Sequence, residues 1–106
     1  MKHFKPTELH DYLNQEDTDP LLLDVREHWE FEYCHIEGSK LIPMSKLPYE
    51  LDDLDKERVT IMICHHGIRS RHMGYYMEKA GFTNIINLDG GVERWAEDVD
   101  TTMKRY

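Results

Sequence analysis

The sequence has few cysteines, no long apolar run and no surplus of basic residues. Only two cysteines, Cys34 and Cys64, occur among 106 residues, far below the density of a disulfide-stabilised secreted scaffold. Acidic residues outnumber basic ones by 21 to 13, for a formal net charge of -8. We therefore expect a protein of the reducing cytoplasm that binds no nucleic acid. The lack of a membrane-length apolar run or an apolar signal region predicts no association with a membrane.

The composition is that of a folded domain. Hydrophobic residues make up 40% of the chain and aromatic residues 10%, which argues against disorder. The length falls in the commonest size range of one domain. We therefore expect a single domain over residues 1–106, ending in a polar tail at residues 98–106.

Apolar runs of strand length alternate with helical patterns along the chain. The runs lie at residues 21–25, 59–63 and 84–88, and a shorter one begins at Lys40. Thr7 is the predicted N-cap of the first helix and Gly81 the predicted C-terminal cap of the helix after Cys64. Arg26 and Glu30, four residues apart in a helical turn, are predicted to pair. Alternating strands and helices indicate an α/β domain with a mainly parallel sheet.

Cys64 stands at the junction between a predicted strand and a predicted helix. Residues 59–77 contain no Asp or Glu, although the chain as a whole is acidic. The same window holds several basic side chains: His65, His66, Arg69, Arg71 and His72. A helix N-terminus and nearby cations both stabilise a thiolate, which is the nucleophilic form of cysteine. The pattern predicts a reactive cysteine at the carboxyl end of a strand, where α/β proteins place their sites.

The alternative for Cys64 is a small buried residue with no chemistry, since free cysteines are often buried. The residues after it favour a site. Gly67 permits a tight backbone that turns successive N–H groups inward as an anion nest, and Arg69 and Ser70 follow directly. A purely structural cysteine requires none of these three residues.

Four ordered motifs make the chain resemble a single-domain rhodanese, a sulfurtransferase, over residues 21–95. The first is Leu-Asp-Val-Arg-Glu at residues 23–27, and the second leads from Glu30 through His35 and Ile36 to Gly38. The third is Cys-His-His-Gly-Ile-Arg-Ser at residues 64–70, and the fourth is Leu-Asp-Gly-Gly-Val at residues 88–92 with Trp95. The resemblance implies a rhodanese-like fold with helices on both faces of the sheet.

The resemblance also implies a reaction. Cys64 would take a sulfane sulfur from thiosulfate or a persulfide donor, hold it as a persulfide and pass it to an acceptor such as cyanide, a small thiol or a protein. The loop residues would bind this sulfur and its donor, with Arg69 orienting an anionic donor: His65, His66, Gly67, Ile68, Arg69 and Ser70. Asp24 and Arg26 would support the structure. No cofactor and no metal are implied.

Two other functions and several residue roles stay open. A cysteine-dependent phosphatase also places a thiolate in an anion-binding loop closed by an arginine, but its loop is longer by one residue than the four residues between Cys64 and Arg69. A non-catalytic rhodanese-like binding module is the second alternative, because a fold does not establish activity. The sequence does not decide the roles of His65 and His66, or whether Cys34 has a redox role.

Overall fold

Five short parallel strands form one sheet at the centre of the protein. The computed structural model describes residues 1–106, the whole of the sequence. In chain order the strands are β1 (Lys2–Phe4), β2 (Leu21–Asp24), β3 (Lys40–Leu41), β4 (Thr60–Ile63) and β5 (Ile85–Leu88). They lie in the order β1-β5-β4-β2-β3, and every neighbouring pair is parallel. The prediction of a mainly parallel α/β sheet is confirmed.

The inner strands lie within a residue of their apolar runs, whereas β1 has no such signal. β4 is buried at every position, because β2 and β5 flank its edges and hydrophobic residues pack on both of its faces. Strands buried on both faces are expected to be apolar throughout rather than alternating. β1 is a three-residue edge strand that pairs with β5 and leaves Lys2 and His3 exposed, so its sequence carries no apolar run.

Five helices accompany the strands: four connect successive strands, and the fifth follows β5. They are α1 (Pro6–Leu13), α2 (His28–Tyr33), α3 (Leu47–Glu50, followed by a single 3-10 turn), α4 (Ile68–Lys79) and α5 (Gly91–Asp98). The predicted cap at Gly81 is confirmed: its φ is +102°, and the Gly81 and Phe82 amides donate to the carbonyls of Glu78 and Met77 at 3.0 and 3.1 Å. The predicted N-cap at Thr7 is wrong.

The first helix begins two residues earlier than an N-cap at Thr7 would allow. Pro6 is its first residue, and Pro is favoured there because it lacks an N–H that would stay unpaired. The Glu8 carboxylate accepts from the Lys5 amide at 2.8 Å, which is half of a capping box. Thr7 thus lies inside the first turn.

Two hydrophobic clusters cover the two faces of the sheet. One joins strand residues such as Leu23 and Met62 to Leu47 of α3 and Met77 of α4, and Cys64 belongs to it. The other joins different strand residues to α1 and α5. Successive strand side chains point to opposite faces, so Ile86 and Leu88 pack towards α1 and α5 while Asn87 points towards α4.

The segment that follows α5 is polar in sequence but packs against the domain. Val99, Met103 and Tyr106 contact the cluster that contains α1 and α5. Their spacing of four and three residues is that of a helix face, but the three residues lie in turns and irregular structure, so this pattern does not predict the contacts that they make. None of the helices has both the length and the apolarity needed to cross a bilayer.

Candidate active site

Cys64 follows directly after the central strand β4, at the carboxyl edge of the sheet. Its side chain is 1% exposed, and hydrophobic residues such as Val25 and Met77 belong to the same cluster. The chain then makes a short loop, and α4 begins at Ile68. The sulfur therefore lies between the end of a strand and the first turn of a helix, as the sequence predicted.

Two polar groups contact the sulfur. The Gly67 amide donates to Cys64 Sγ at 3.0 Å, and Ser70 Oγ lies 3.3 Å from the same atom. Gly67 caps α4 with a φ of +96°, a conformation that strains any other residue. A Cβ at this position would also lie 3.0 Å from the Gly90 amide nitrogen. Glycine is thus required for the amide to reach the sulfur.

The first turn of α5 holds the carbonyls of the Cys64 loop. The Val92 amide donates to the Cys64 carbonyl at 2.9 Å, and the Glu93 amide donates to the His65 carbonyl at 3.1 Å. A Cβ on Gly91 would lie 2.3 Å from the Cys64 carbonyl oxygen, so this approach needs glycine. The Cys64 and His65 carbonyls therefore point to α5.

The amides at the start of α4 are left free. Those of Ile68, Arg69 and Ser70 donate to no acceptor in the protein, as is usual for the first turn of a helix. Together with the Gly67 amide they form the positive end of the helix dipole beside Sγ. This end of α4 can hold an anion.

A neutral hydrogen-bonded chain, here called the neutral flank, runs from the sulfur through Gly67, Ser70 and Asn87. Ser70 donates to Asn87 Oδ1 at 2.6 Å, and Asn87 Nδ2 donates to the Gly67 carbonyl at 3.1 Å. The Ser70 and Asn87 side chains are fully or almost fully buried. The sequence analysis missed Asn87, although a single amide inside the apolar run of β5 was a visible signal.

Five residues with charged or ionisable side chains form a second group, here called the charged flank: Asp24, Arg26, Glu30, Arg69 and Tyr106. Arg69 donates to both carboxylate oxygens of Glu30, at 2.8 and 2.9 Å. The sequence analysis expected Arg69 to orient a donor, but in the structure its guanidinium is bound to a side chain that is only 4% exposed. The predicted pair of Arg26 and Glu30 is wrong, since Arg26 reaches only the Glu30 carbonyl, at 3.4 Å.

Asp24 and Arg26 form a salt bridge with no exposed surface. Arg26 Nε and Nη2 donate to the Asp24 carboxylate at 2.9 and 2.7 Å, and Nη2 also donates to the Cys34 carbonyl at 2.7 Å. Burial alone would lower the pKa of Arg26, but the contacts with Asp24 raise it. These contacts tie the end of β2 to the end of α2.

Tyr106, the last residue of the sequence, completes the charged flank. Its hydroxyl accepts from Arg26 Nη1 at 2.8 Å and donates to Glu30 Oε2 at 2.6 Å. The hydrogen bonds from Arg69, with a further one from Tyr106, lower the pKa of Glu30 to about 2. Burial and the bond to Glu30 raise the pKa of Tyr106 to about 12. Nothing local in the sequence could have joined Tyr106 to residues so distant along the chain.

The two histidines of the loop occupy different surroundings. The His65 ring stacks on Tyr106 with a centroid distance of 4.0 Å and lies 3.9 Å from the His66 ring. Burial, with the charge of His66, lowers the pKa of His65. Its Nε2 lies 3.5 Å from Glu93 and forms no hydrogen bond. His65 is therefore a packed, neutral ring at neutral pH, whereas His66 is exposed.

A cleft of about 350 Å³ adjoins the neutral flank. It is lined by His3, His66, Gly67, Ile68, Arg71, Asp89 and Gly90. His3 Nδ1 lies 2.8 Å from Asp89, but the Arg71 guanidinium has no hydrogen bond or ion pair. The cleft shares Gly67 with the sulfur site and presents an unpaired cation.

Cys34 lies on the side of the charged flank. It is 8% exposed, and its sulfur lies 4.0 Å from Arg26 Nη1. Both cysteines are free thiols. The polar neighbour of the Cys34 sulfur is thus a buried arginine.

The chain matches one protein family over most of its length. The family model described as a rhodanese-like domain matches residues 5–98. Among curated proteins, the chain is 34% identical over 103 residues to a probable adenylyltransferase/sulfurtransferase, MoeZ, of Mycobacterium tuberculosis, covering 95% of this chain and 26% of that protein. It is 36% identical over 94 residues to a tRNA uridine(34) hydroxylase of Yersinia enterocolitica, covering 81% of this chain and 27% of that protein. The chain thus spans about a quarter of these relatives.

Solved structures of similar length share the fold. A rhodanese-like domain protein from Staphylococcus aureus superposes with a TM-score of 0.85 at 29% identity, covering 100% of this chain and 99% of that chain. A rhodanese-related protein from Thermoplasma volcanium superposes with a TM-score of 0.83 at 27% identity, covering 93% and 94% of the two chains. The structural likeness extends over the whole domain.

Proposed function

The chain belongs to the rhodanese-like domain family, whose relatives include a protein named as a sulfurtransferase, and from this premise we propose that it transfers a sulfane sulfur through Cys64. The proposed donor is thiosulfate or a persulfide. The proposed acceptor is cyanide in vitro, and a small thiol or a protein thiol otherwise. No metal or cofactor enters the proposed reaction.

The observation that carries the proposal is the position of Cys64 Sγ at the start of α4. One amide already donates to Sγ at 3.0 Å, and the next three amides of the chain have no acceptor. Backbone amides stabilise negative charge without a proton of their own to lose. A persulfide carries its charge on the outer sulfur, so the free amides of Ile68, Arg69 and Ser70 suit that atom.

The proposed reaction has two displacements at sulfur. The Cys64 thiolate attacks the outer sulfur of thiosulfate, the sulfur–sulfur bond of thiosulfate breaks, and sulfite leaves with the bonding electron pair. Cyanide then attacks the outer sulfur of the persulfide, thiocyanate forms, and the electron pair of the broken bond returns to Cys64. Thiol exchange follows the same pattern of attack by a thiolate and departure of a stabilised anion.

Arg71 and His66 are proposed to attract an anionic donor, in addition to the loop amides. Arg69 was expected in this role, but its two hydrogen bonds to Glu30 already offset much of its charge. The bond to Glu30, with a smaller contribution from the Cys64 charge, raises the pKa of Arg69. The Arg71 guanidinium has no partner, and Arg71 lines the cleft that shares Gly67 with the sulfur site. An unpaired guanidinium suits the oxygens of thiosulfate.

The test is the mass of the protein after incubation with thiosulfate and removal of excess donor. We expect one added sulfur atom on the peptide that contains Cys64, its loss on addition of cyanide, and no addition in Cys64→Ser. Cys34→Ser is the matched control, and it should load sulfur like the wild type. A Cys64→Ser protein with full thiosulfate:cyanide turnover would refute the role of Cys64.

Two assays separate the alternative functions. Hydrolysis of an aryl phosphate without sulfur loading would favour the phosphatase. Absence of both activities, with both a thiosulfate and a persulfide donor, would favour the non-catalytic binding module. Sulfur loading without phosphate hydrolysis is the outcome that we expect.

A further inference from the structure

The orientation of the Asn87 amide is fixed by its neighbours. Its Nδ2 lies 3.1 Å from the Gly67 carbonyl and 3.0 Å from Asp89 Oδ1, two groups that only accept hydrogen bonds. The opposite orientation of the amide would place Oδ1 against both of these oxygens. Asn87 Oδ1 must therefore face Ser70, and it can only accept.

While Cys64 is a thiol, the Ser70 hydroxyl proton then has a single position. Ser70 Oγ lies 2.6 Å from Asn87 Oδ1, so the hydroxyl must donate to this acceptor. Its lone pairs are left to face Cys64 Sγ at 3.3 Å. This arrangement accepts a hydrogen bond from a thiol S–H. It gives no hydrogen bond to a thiolate, which only accepts.

We propose that Asn87 is a positioning residue, which acts through Ser70 to set the balance between thiol and thiolate at Cys64. When Cys64 loses its proton to solvent, the Ser70 hydroxyl turns from Asn87 Oδ1 to Sγ. Asn87 and the thiolate thus compete for one proton. Once a persulfide forms, its charge lies on the outer sulfur, and the Ser70 proton can return to Asn87. The proposal rests on the proposed function in taking Cys64 as the reacting sulfur.

The charged groups on the elements around the loop are largely paired with one another. The pairs are Asp24 with Arg26 on the β2 side, Glu30 with Arg69 between α2 and α4, Glu93 with Arg105 on the α5 side, and Asp89 with His3 at the β5 edge. Tyr106 is bonded to Arg26 and Glu30. His65, His66, Arg71 and His72 of the loop and α4 complete the set. Substitution of Asn87 by an uncharged residue leaves all these charges in place.

The experiment measures the rate at which iodoacetamide alkylates Cys64 as a function of pH, because only the thiolate reacts. Peptide mass identifies the modified residue and so separates Cys64 from Cys34. Four proteins are compared: the wild type, Asn87→Leu, Ser70→Ala and the double variant. Leu has the branched shape and the number of side-chain heavy atoms of Asn but offers no acceptor. Thermal melting verifies that each variant is folded, and Asn87→Ala replaces Asn87→Leu if the latter does not fold.

We expect Asn87→Leu to shift the midpoint of the alkylation profile to lower pH by about one unit. The freed Ser70 hydroxyl can then donate one strong hydrogen bond to the charged sulfur. At a fixed pH below the midpoint, this is roughly a tenfold faster alkylation. In the Ser70→Ala background the same substitution should move the profile by less than about 0.3 unit, because no hydroxyl proton remains to redirect.

Two results would overturn the proposal. An equal shift in both backgrounds would mean that Asn87 acts through the loop backbone and not through Ser70. No shift in either background would mean that the Ser70 proton does not respond to Asn87. Alkylation needs no sulfur transfer, so this experiment decides the role of Asn87 even if thiosulfate never loads Cys64.

Discussion

The charged flank and the neutral flank lie on opposite sides of one loop and differ in what they contact. The charged flank contains two bidentate ion pairs, Asp24 with Arg26 and Glu30 with Arg69, and none of these side chains is hydrogen-bonded to the reactive sulfur. The neutral flank has no net charge, yet its Gly67 amide and Ser70 hydroxyl lie at 3.0 and 3.3 Å from Cys64 Sγ. Arg69 is close to Cys64 in the sequence, yet its guanidinium is not hydrogen-bonded to the Cys64 sulfur.

The division has a physical cause. A buried guanidinium or carboxylate is costly to desolvate and is tolerated when it is paired, so these residues are bound to one another. Dipoles such as amides and hydroxyls can be buried beside a sulfur at lower cost and still stabilise its charge. The comparison predicts that the charged flank supports stability and the neutral flank supports chemistry.

The largest effect should come from breaking the fully buried pair. Arg26→Met would leave the Asp24 carboxylate buried without its partner and free the Cys34 carbonyl, at a cost of about 3–5 kcal/mol of unfolding free energy. The measurement is urea unfolding. Arg94→Ala is the matched control, since Arg94 is 58% exposed in its ion pairs and should cost less than about 1 kcal/mol. A loss in Arg26→Met as small as in the control would contradict a stabilising role for the charged flank.

A somewhat smaller loss of unfolding free energy should follow from protonation of Glu30 at low pH. The pKa of Glu30 is about 2 in the folded protein against an ordinary value of 4.5. Folding therefore favours the ionised form, so this stabilisation is complete above pH 4.5 and is lost as pH falls towards 2. The contribution is about 3 kcal/mol. Unfolding free energies measured across this window should fall more steeply in the wild type than in Glu30→Gln.

Exposed Glu16 supplies the control for that titration. Glu16→Gln should reproduce the wild-type pH dependence, because its carboxylate has no partner in the structure. If Glu30→Gln also reproduced it, Glu30 would not be held ionised by Arg69 and Tyr106.

The smallest effect should come from the unpaired cation of the cleft. Arg71→Ala should raise the thiosulfate concentration needed for half-maximal rate by about 3–10-fold, with little change in maximal rate, because only a partly screened attraction is lost. Steady-state kinetics measure both quantities. Lys79→Ala, at the far end of α4, is the control. Equal kinetics in Arg71→Ala and Lys79→Ala would mean that Arg71 does not bind the donor. Arg69 would then be the next candidate for that role.

The sequence was sufficient for the fold and for the position of Cys64, because apolar runs and helix caps are local signals. The runs that became β2, β4 and β5, the cap at Gly81 and the strand-to-helix junction at Cys64 were all predicted. The short edge strand β1 was not, since its three residues are mostly exposed and form no pattern.

The partners of the site residues could not be predicted, because they depend on contacts between distant parts of the chain. Arg69 meets Glu30 from 39 residues away, and Arg26 meets Tyr106 across 80 residues. Helical spacing instead suggested a pair between Arg26 and Glu30. The role of Asn87 depends on how β5 aligns with α4, which no local pattern of residues specifies.

We expect the charged flank to support stability and the neutral flank to support chemistry. The most direct test makes one substitution in each flank and applies the same two measurements to both variants. The first measurement is the rate of persulfide formation at Cys64 with thiosulfate, and the second is the unfolding free energy. Ser70→Ala should slow loading by about 10–100-fold through loss of a hydrogen bond to a charged sulfur, at a cost of about 1 kcal/mol of stability. Glu30→Gln should lose more stability and, while folded, load sulfur within about threefold of the wild-type rate. The reverse result, with slow loading in Glu30→Gln and normal loading in Ser70→Ala, would contradict the account.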